Sequence, residues 1–443
     1  MAAGRSVRAL HTVLLFSQLL LGLKCSSAFN LKVSSLSLFG SSLRPDYPTN
    51  VHQNDGGKFE LYEARGNGLA FMKISLWGNS IMQPAHFDTD ILAHVIEGCA
   101  KWGMVYGSGD WVDAVSTLKA GDAFVIPKEA VVWFYNEDES NTFSFIGVGE
   151  TSCGLKPGRI TALPVVGSAS MYQGFDDKSV ADAWAVEKVT ARKVMHNQGS
   201  SLFVKLSVKI NLSRPEAKAA FNCEYVFPTW TVDPDLYMPG GGKQWTVLAS
   251  KSVRHSILRK INLAGELIEQ YSRSMYGPMF STNVNQLLYV IKGRGHLVMV
   301  EPFKNDQILD TRICEGQVIS IPKGYGYLIT GDYDEEITHF TVADNSGPAK
   351  TFFAGKQSMY LGIPWEILRA SFAVGDSIVD KVLHSRTWEY TILPPYGSAD
   401  SIDQGSAEPE QPTEKEITSE IKGFLFFQPV ADEASWRVCV AKA

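Results

Sequence analysis

Few residue groupings in this 443-residue chain combine the side-chain types and spacing that chemistry needs. Gly240-Gly-Gly-Lys243 has the glycines and lysine of a phosphate cradle. It lacks the Gly-x-x-x-x-Gly-Lys-Ser/Thr spacing that wraps backbone N–H groups around a phosphate, and it reads as a turn between two halves of the chain. Gly293-Arg-Gly295 follows an apolar β-type run without opening a helix, so it offers no nucleotide site. His94, Glu97 and His339 could ligate a metal or move protons, but all three lie in or beside β-patterned runs. Strand alternation there sends them outward, to solvated or hydrogen-bonded structural positions. Asn211-Leu-Ser213 is a glycosylation sequon, with Asn211 as the acceptor.

Composition narrows the function classes. Lys and Arg total 41 against 47 Asp and Glu, with no basic stripe interleaved with aromatics, so the electrostatic footprint of a nucleic-acid partner is missing. Arg5 and Arg8 precede an apolar run from Thr12 to Leu23, and Ser26-Ser-Ala28 supplies small residues at a cleavage point. Residues 1–28 therefore read as a secretory signal peptide. No later apolar run is long enough to span a bilayer, so the expectation is a mature chain with no membrane partner, in the secretory pathway and bound for the extracellular space or a storage vacuole. Beyond that segment stand Cys99, Cys153, Cys223, Cys314 and Cys439, an odd set without a Cys-x-x-Cys pair for zinc or redox work.

Any site must be positioned by a duplicated unit. Ser170-Met-Tyr-Gln-Gly174 returns as Ser358-Met-Tyr-Leu-Gly362, Ala185-Val186 as Ala373-Val374, and Lys193-Val-Met-His196 as Lys381-Val-Leu-His384, each 188 residues on. Ile367, Leu368, Phe372 and Val374 recur at near-helical spacing behind Pro364, and Ile378, Val379, Val382 and Leu383 form a second stripe. Val180, Ala183, Trp184 and Val186 hold the matching face in the first copy. Each helix pair follows short Val/Ile/Phe-rich runs with Gly and Pro turns, among them Gly68–Trp77, Val131–Tyr135 and Thr142–Val148, then Gln286–Ile291, Gly295–Val300 and Ile337–Val342. Such runs predict a sandwich or barrel in each half. From about 397 the chain turns acidic and Pro-containing, as a flexible tail does, and ends in the apolar patch Ile421–Val430.

The punctuation carries a family resemblance. Gly98 and Gly293, Gly121 and Gly316, and Pro127 and Pro322 are each 195 residues apart. The second copy spells Gly316-Gln-Val-Ile-Ser-Ile-Pro322-Lys-Gly324, while the first has Glu129 at the last glycine. This Gly-x5-Pro-x-Gly element resembles that of the cupins. Leu288–Val300, Glu315–Pro322 and Ala354–Leu368 are similar to the legumin-type (11S) seed storage globulins and their plant relatives. The resemblance spans residues 40 to 396 and implies a mainly β chain of two cupin jelly-roll barrels, each with a short helical arm. The expected domains are 40–200 and 201–396, followed by the tail 397–443. It further implies a nutrient reservoir that assembles as a homotrimer through its arms.

The same family predicts where a metal would sit. Catalytic members converge three His and a Glu on one ion. Counted from Gly98 and Pro127, those places hold Pro84, His86, Ile91 and Val132. In the second copy they hold Met279, Ser281, Gln286 and Tyr327. One imidazole in eight places predicts no catalytic residues, no metal and no cofactor. Two other readings remain. One is a small-ligand-binding bicupin, lined by His86 and Asn136 in the first barrel and by Gln286 and Tyr327 in the second. The other is a germin-like metal oxidase whose site is rebuilt around His86.

Overall fold

The computed structural model describes residues 43–106, 115–167, 169–199, 201–212, 224–252, 255–304 and 306–397. The signal segment 1–28, Ser213 of the sequon, Cys223, Cys439 and tail residues 398–443 lie outside them.

The first copy folds into two sheets of a jelly roll. One runs Thr49–Gln53, Gly57–Tyr62, Leu69–Leu76, Phe143–Glu150, Ile91–Glu97, Asp122–Ile126 and Val226–Pro228 in spatial order. The other runs Ala162–Pro164, Ser80–Phe87, Ala130–Asn136, Cys99–Tyr106 and Ser116–Lys119. In the second copy the 15-residue strand Gln286–Val300 belongs to both layers. Its first half pairs with Val318–Ile321 and Ile337–Ala343, and its second half with Gln307–Cys314 and Gly326–Gly331.

The corner where the chain passes between layers is a glycine in both copies, for a steric reason. Gly98 has φ +74° and Gly293 has φ +80°, in the region that L side chains rarely enter. A Cβ would stand 2.2 Å from the Thr142 carbonyl oxygen at the first corner, and 1.8 Å from that of Glu336 at the second. The motif glycines Gly121, Gly316 and Gly324 also take positive φ, whereas Glu129, in the place of Gly324, bonds Lys260 at 2.6 Å.

Each barrel covers an edge of the other. Phe227, in the segment that leads into the second barrel, pairs with Ala123 of the first. Asp46, in the segment that leads into the first, pairs with Val318 of the second, 195 residues beyond Ala123. An unpaired strand edge is a site for unwanted association, and the exchange closes both. The cores meet behind these edges: Phe71 stacks on Tyr289 at 4.9 Å, His94 stacks on Phe340 at 4.8 Å, and one apolar cluster includes residues of both barrels.

The repeated stretches form the expected arms. A 3-10 turn, Met171–Gly174, precedes the helices Asp177–Trp184 and Lys188–His196; Met359–Gly362 precedes Trp365–Phe372 and Asp376–His384. Asp176 caps the first helix by accepting from Lys178 N at 3.0 Å and Ser179 N at 3.1 Å. The repeated Ala-Val explains itself here: Ala185 (φ 52°) and Ala373 (φ 54°) are the left-handed residues that end the first helix of each arm.

Gly293→Ala combines positive φ with a backbone clash. It should lower unfolding free energy by about 2 kcal/mol or more, read as a shift in urea midpoint. A shift equal to that of Gly174→Ala, where no atom lies within 4 Å of the added Cβ, would refute the corner's role.

Candidate functional site

Strand register shows which residues face the interior of each barrel. In the first, Ala85 and Phe87 are fully buried and His86 between them is half-buried, so the His86 ring stands on the opposite face from the core. The backbone of His86 pairs with Val131 on one side and Leu163 on the other. Ala85 lies opposite Val132 as Met279 lies opposite Tyr327. Counting back from the corner glycine therefore slips by one residue in the first copy, because the connection before Gln286 is longer than the one before Ile91. The inward places are Ala85 and Phe87, and His86, which the small-ligand and rebuilt-metal readings require to line the barrel, stands on the other face of the strand.

Asn136 also stands apart. It is fully buried, but its amide donates to the carbonyls of Leu76, Trp77 and Asn141 at 3.1, 3.2 and 2.8 Å, and its oxygen accepts from Asp138 N at 3.1 Å. Those bonds tie down the turn after its strand. It pairs with Ser80, at the far end from His86 of the same ladder. The structure does not bring His86 and Asn136 together.

Gln286 and Tyr327 do meet. The Tyr327 hydroxyl donates to Gln286 Oε1 at 3.2 Å inside the second barrel, and both side chains are almost wholly buried. Around them lies a group that sequence reasoning missed. Lys350 Nζ ion-pairs with Glu266 Oε1 and donates to the Tyr276 hydroxyl at 2.7 Å, and that hydroxyl donates to Glu266 Oε1 at 2.9 Å. Gln244 Nε2 donates to Glu266 Oε2 at 3.1 Å, and Thr391 Oγ1 donates to Gln244 Oε1 at 3.0 Å. Burial pushes the Tyr276 and Tyr327 hydroxyls well above their usual titration range, so both remain donors. Gln244, Glu266, Gln286, Lys350 and Thr391 of this cluster line a cavity of about 280 Å³, whose other lining includes Leu248, Ala343, Pro348 and Phe352.

The first barrel has none of this polarity at the same register. Met72 faces Gly147 as Glu266 faces Thr341; Met82 faces Phe134 as Tyr276 faces Ile329; Ile91 faces Ile126 as Gln286 faces Ile321. With Val132 in the place of Tyr327, five interior positions are apolar in one copy and polar in the other. The space is filled by aromatics: Phe134 lies 4.9 Å from Phe145, and Phe124 lies 5.2 Å from Phe145 and 5.4 Å from Trp102.

Two histidines depart from expectation. His94 and His339 are both fully buried, where alternation in the sequence suggests exposed positions. His94 lies in the contact between the barrels, within 3.3 Å of Thr229 Oγ1. His339 Nδ1 lies 3.5 Å from Thr341 Oγ1, and its Nε2 has no hydrogen-bond partner. Alternation fails because these strands are covered on both faces, one by their own barrel interior and the other by the opposite copy. Glu97 is exposed, as expected. Cys99, Cys153 and Cys314 are free thiols, and among the described residues no group of three or more His, Cys, Asp or Glu is placed to hold a metal ion.

With this geometry established, the comparisons with known proteins agree on one class. A family profile described as Cupin matches residues 48–192 and 235–380, and the chain belongs to that family, with the two-cupin architecture of the legumin-type globulins. The 12S seed storage protein CRB of Arabidopsis thaliana is 21% identical over 402 residues, covering 76% of this chain and 87% of that protein. Procruciferin, the 11S globulin from Brassica napus, superposes with a TM-score of 0.71 at 19% identity, covering 81% of this chain and 98% of that one. Pumpkin seed globulin gives a TM-score of 0.73 at 17% identity, covering 81% of this chain and 100% of that one.

The buried histidines set a pH dependence. Desolvation drives both from the ordinary 6.5 to about 3, with Lys350 adding to the effect at His339. Below pH 6.5 the unfolded chain takes up protons that the folded chain refuses, so stability is full above 6.5 and declines as pH falls toward 3. Urea midpoints measured from pH 7 to 4 should fall, and His339→Gln should flatten the profile. Equal slopes for the parent and the variant would contradict the assignment.

Proposed function

We propose that this bicupin serves as a seed-storage-like nutrient reservoir, carried through the secretory pathway and assembled as a homotrimer through its helical arms. The observation that carries the storage role is the likeness to a 12S seed storage protein across both cupin units, 76% of this chain and 87% of that protein. The signal-like residues 1–28 support secretory delivery, to the extracellular space or a storage vacuole.

The arms support the assembly. Each buries a thin seam, Val180, Ala181, Ala191 and Met195 in the first and Leu368 and Val379 in the second. Each also leaves an apolar row in solvent, with Val189 at 64% and Val194 at 58% exposure, Ile367 at 57% and Ile378 at 51%. Two equivalent arms with self-similar apolar faces suit a closed ring, in which one arm of each protomer meets the other arm of the next. Asn211 is exposed on the first copy and suits a glycan in this compartment.

Sedimentation equilibrium tests the assembly. The mature protein should have three times the protomer mass, and paired Val189→Glu and Ile378→Glu should reduce it to monomer while changing the urea midpoint by under about 1 kcal/mol equivalent, as surface changes do. A monomeric parent would remove the arm interface. Absence of the protein from storage tissue would remove the reservoir role.

A further inference from the structure

We propose that the second barrel is a binding site for a small uncharged carbonyl compound, an amide, lactam or cyclic ketone, whose oxygen is held by Lys350 Nζ and Gln286 Nε2. This goes beyond the reservoir role, which requires no ligand.

The cavity's unmet hydrogen-bonding capacity is mainly that of donors. Glu266 accepts from Lys350, Tyr276 and Gln244, so its carboxylate is well served. Lys350 has three N–H groups; Glu266 and Tyr276 take two, leaving one. Gln286 is 2% exposed and spends its oxygen on Tyr327, while its amide nitrogen has no partner among the described residues. Both side chains line the cavity, so the free donors stand at its wall. An entering carbonyl oxygen would give both donors an acceptor at a wall where little water competes.

Charge selects between acceptors. Glu266 and Lys350 are the only ionisable residues in the cavity lining, and they neutralise each other. A carboxylate would bring an uncompensated negative charge beside buried Glu266, at a desolvation cost that nothing in the lining repays. A neutral carbonyl satisfies the donors without adding charge. Leu248, Pro348 and Phe352 accept an apolar body, and about 280 Å³ is slightly below the roughly 300–1,000 Å³ of pockets for drug-sized ligands, so the compound is on the scale of a single ring. The first barrel, with Met72, Met82, Ile91 and Val132 at the same register, offers no such donors.

Isothermal titration of the full chain with benzamide, benzoate and benzyl alcohol tests this, because the three share a ring and differ in the head group. Benzamide should bind at least about tenfold more tightly than either of the others. Gln286→Ile, which copies Ile91 of the first barrel, should weaken benzamide by about tenfold or more in a chain that still unfolds cooperatively, with a urea midpoint lowered by the loss of the Tyr327 acceptor. Lys350→Met should do the same, and Gln286→Ile carries the test where Lys350→Met fails to fold. Tighter binding of benzoate, equal binding of benzyl alcohol, no binding of benzamide, or benzamide binding indifferent to Gln286→Ile would each overturn the proposal.

Discussion

Two small jelly rolls in one chain share a problem: the strand that carries the Gly-x5-Pro element leaves an edge, and each barrel supplies the segment that covers the other's. The pairings Phe227 with Ala123 and Asp46 with Val318 are the same contact made twice, 195 residues apart. Edge coverage of this kind constrains the backbone of both copies at once, because a change in one barrel's lead-in segment exposes the other barrel's strand. It also explains the shared core, in which His94 and Tyr289 from matching strands stack on aromatics of the opposite copy.

That constraint acts on backbone and edges and leaves the interiors free to differ. The first barrel is filled with Phe and Trp rings in contact, a packed aromatic core. The second places Glu266, Tyr276, Gln286, Tyr327 and Thr341 at positions that are apolar in its twin, and Lys350 pairs with the Glu266 carboxylate. Burying two charges costs more than their attraction returns unless further hydrogen bonds complete them, and here Tyr276 and Gln244 do so. One copy thus serves as filler and the other as a chamber.

Much of the architecture was legible in the sequence because its signals are local or periodic. The Ser-Met-Tyr-x-Gly repeat marked the arms, and Gly98, Gly293, Pro127 and Pro322 fixed the corners and turns of both barrels. Strands such as Ser80–Phe87 escaped notice because Gln83, Pro84 and His86 break the alternation, and a bulge between Met82 and Ala85 shifts the inward face. Gln286 and Tyr327 could be found by counting because both sit at fixed distances from Gly293 and Pro322. His86 was misplaced by the same count, since the connection it crossed differs in length between the copies. Glu266, Tyr276 and Lys350 gave no signal: each is an isolated polar residue on a different segment, and only strand register makes them neighbours.

A double-mutant cycle on Glu266→Gln and Lys350→Met, read by equilibrium unfolding at pH 7, measures whether the second barrel holds a coupled, largely buried charge pair where its twin has Met72 in the place of Glu266. A coupling energy of about 1–3 kcal/mol is predicted, in the upper part of the roughly 0.5–3 kcal/mol seen for residues in one network. A coupling within about 0.5 kcal/mol of zero would mean the two groups are screened by solvent, and the chamber would then be no more specialised than the barrel beside it.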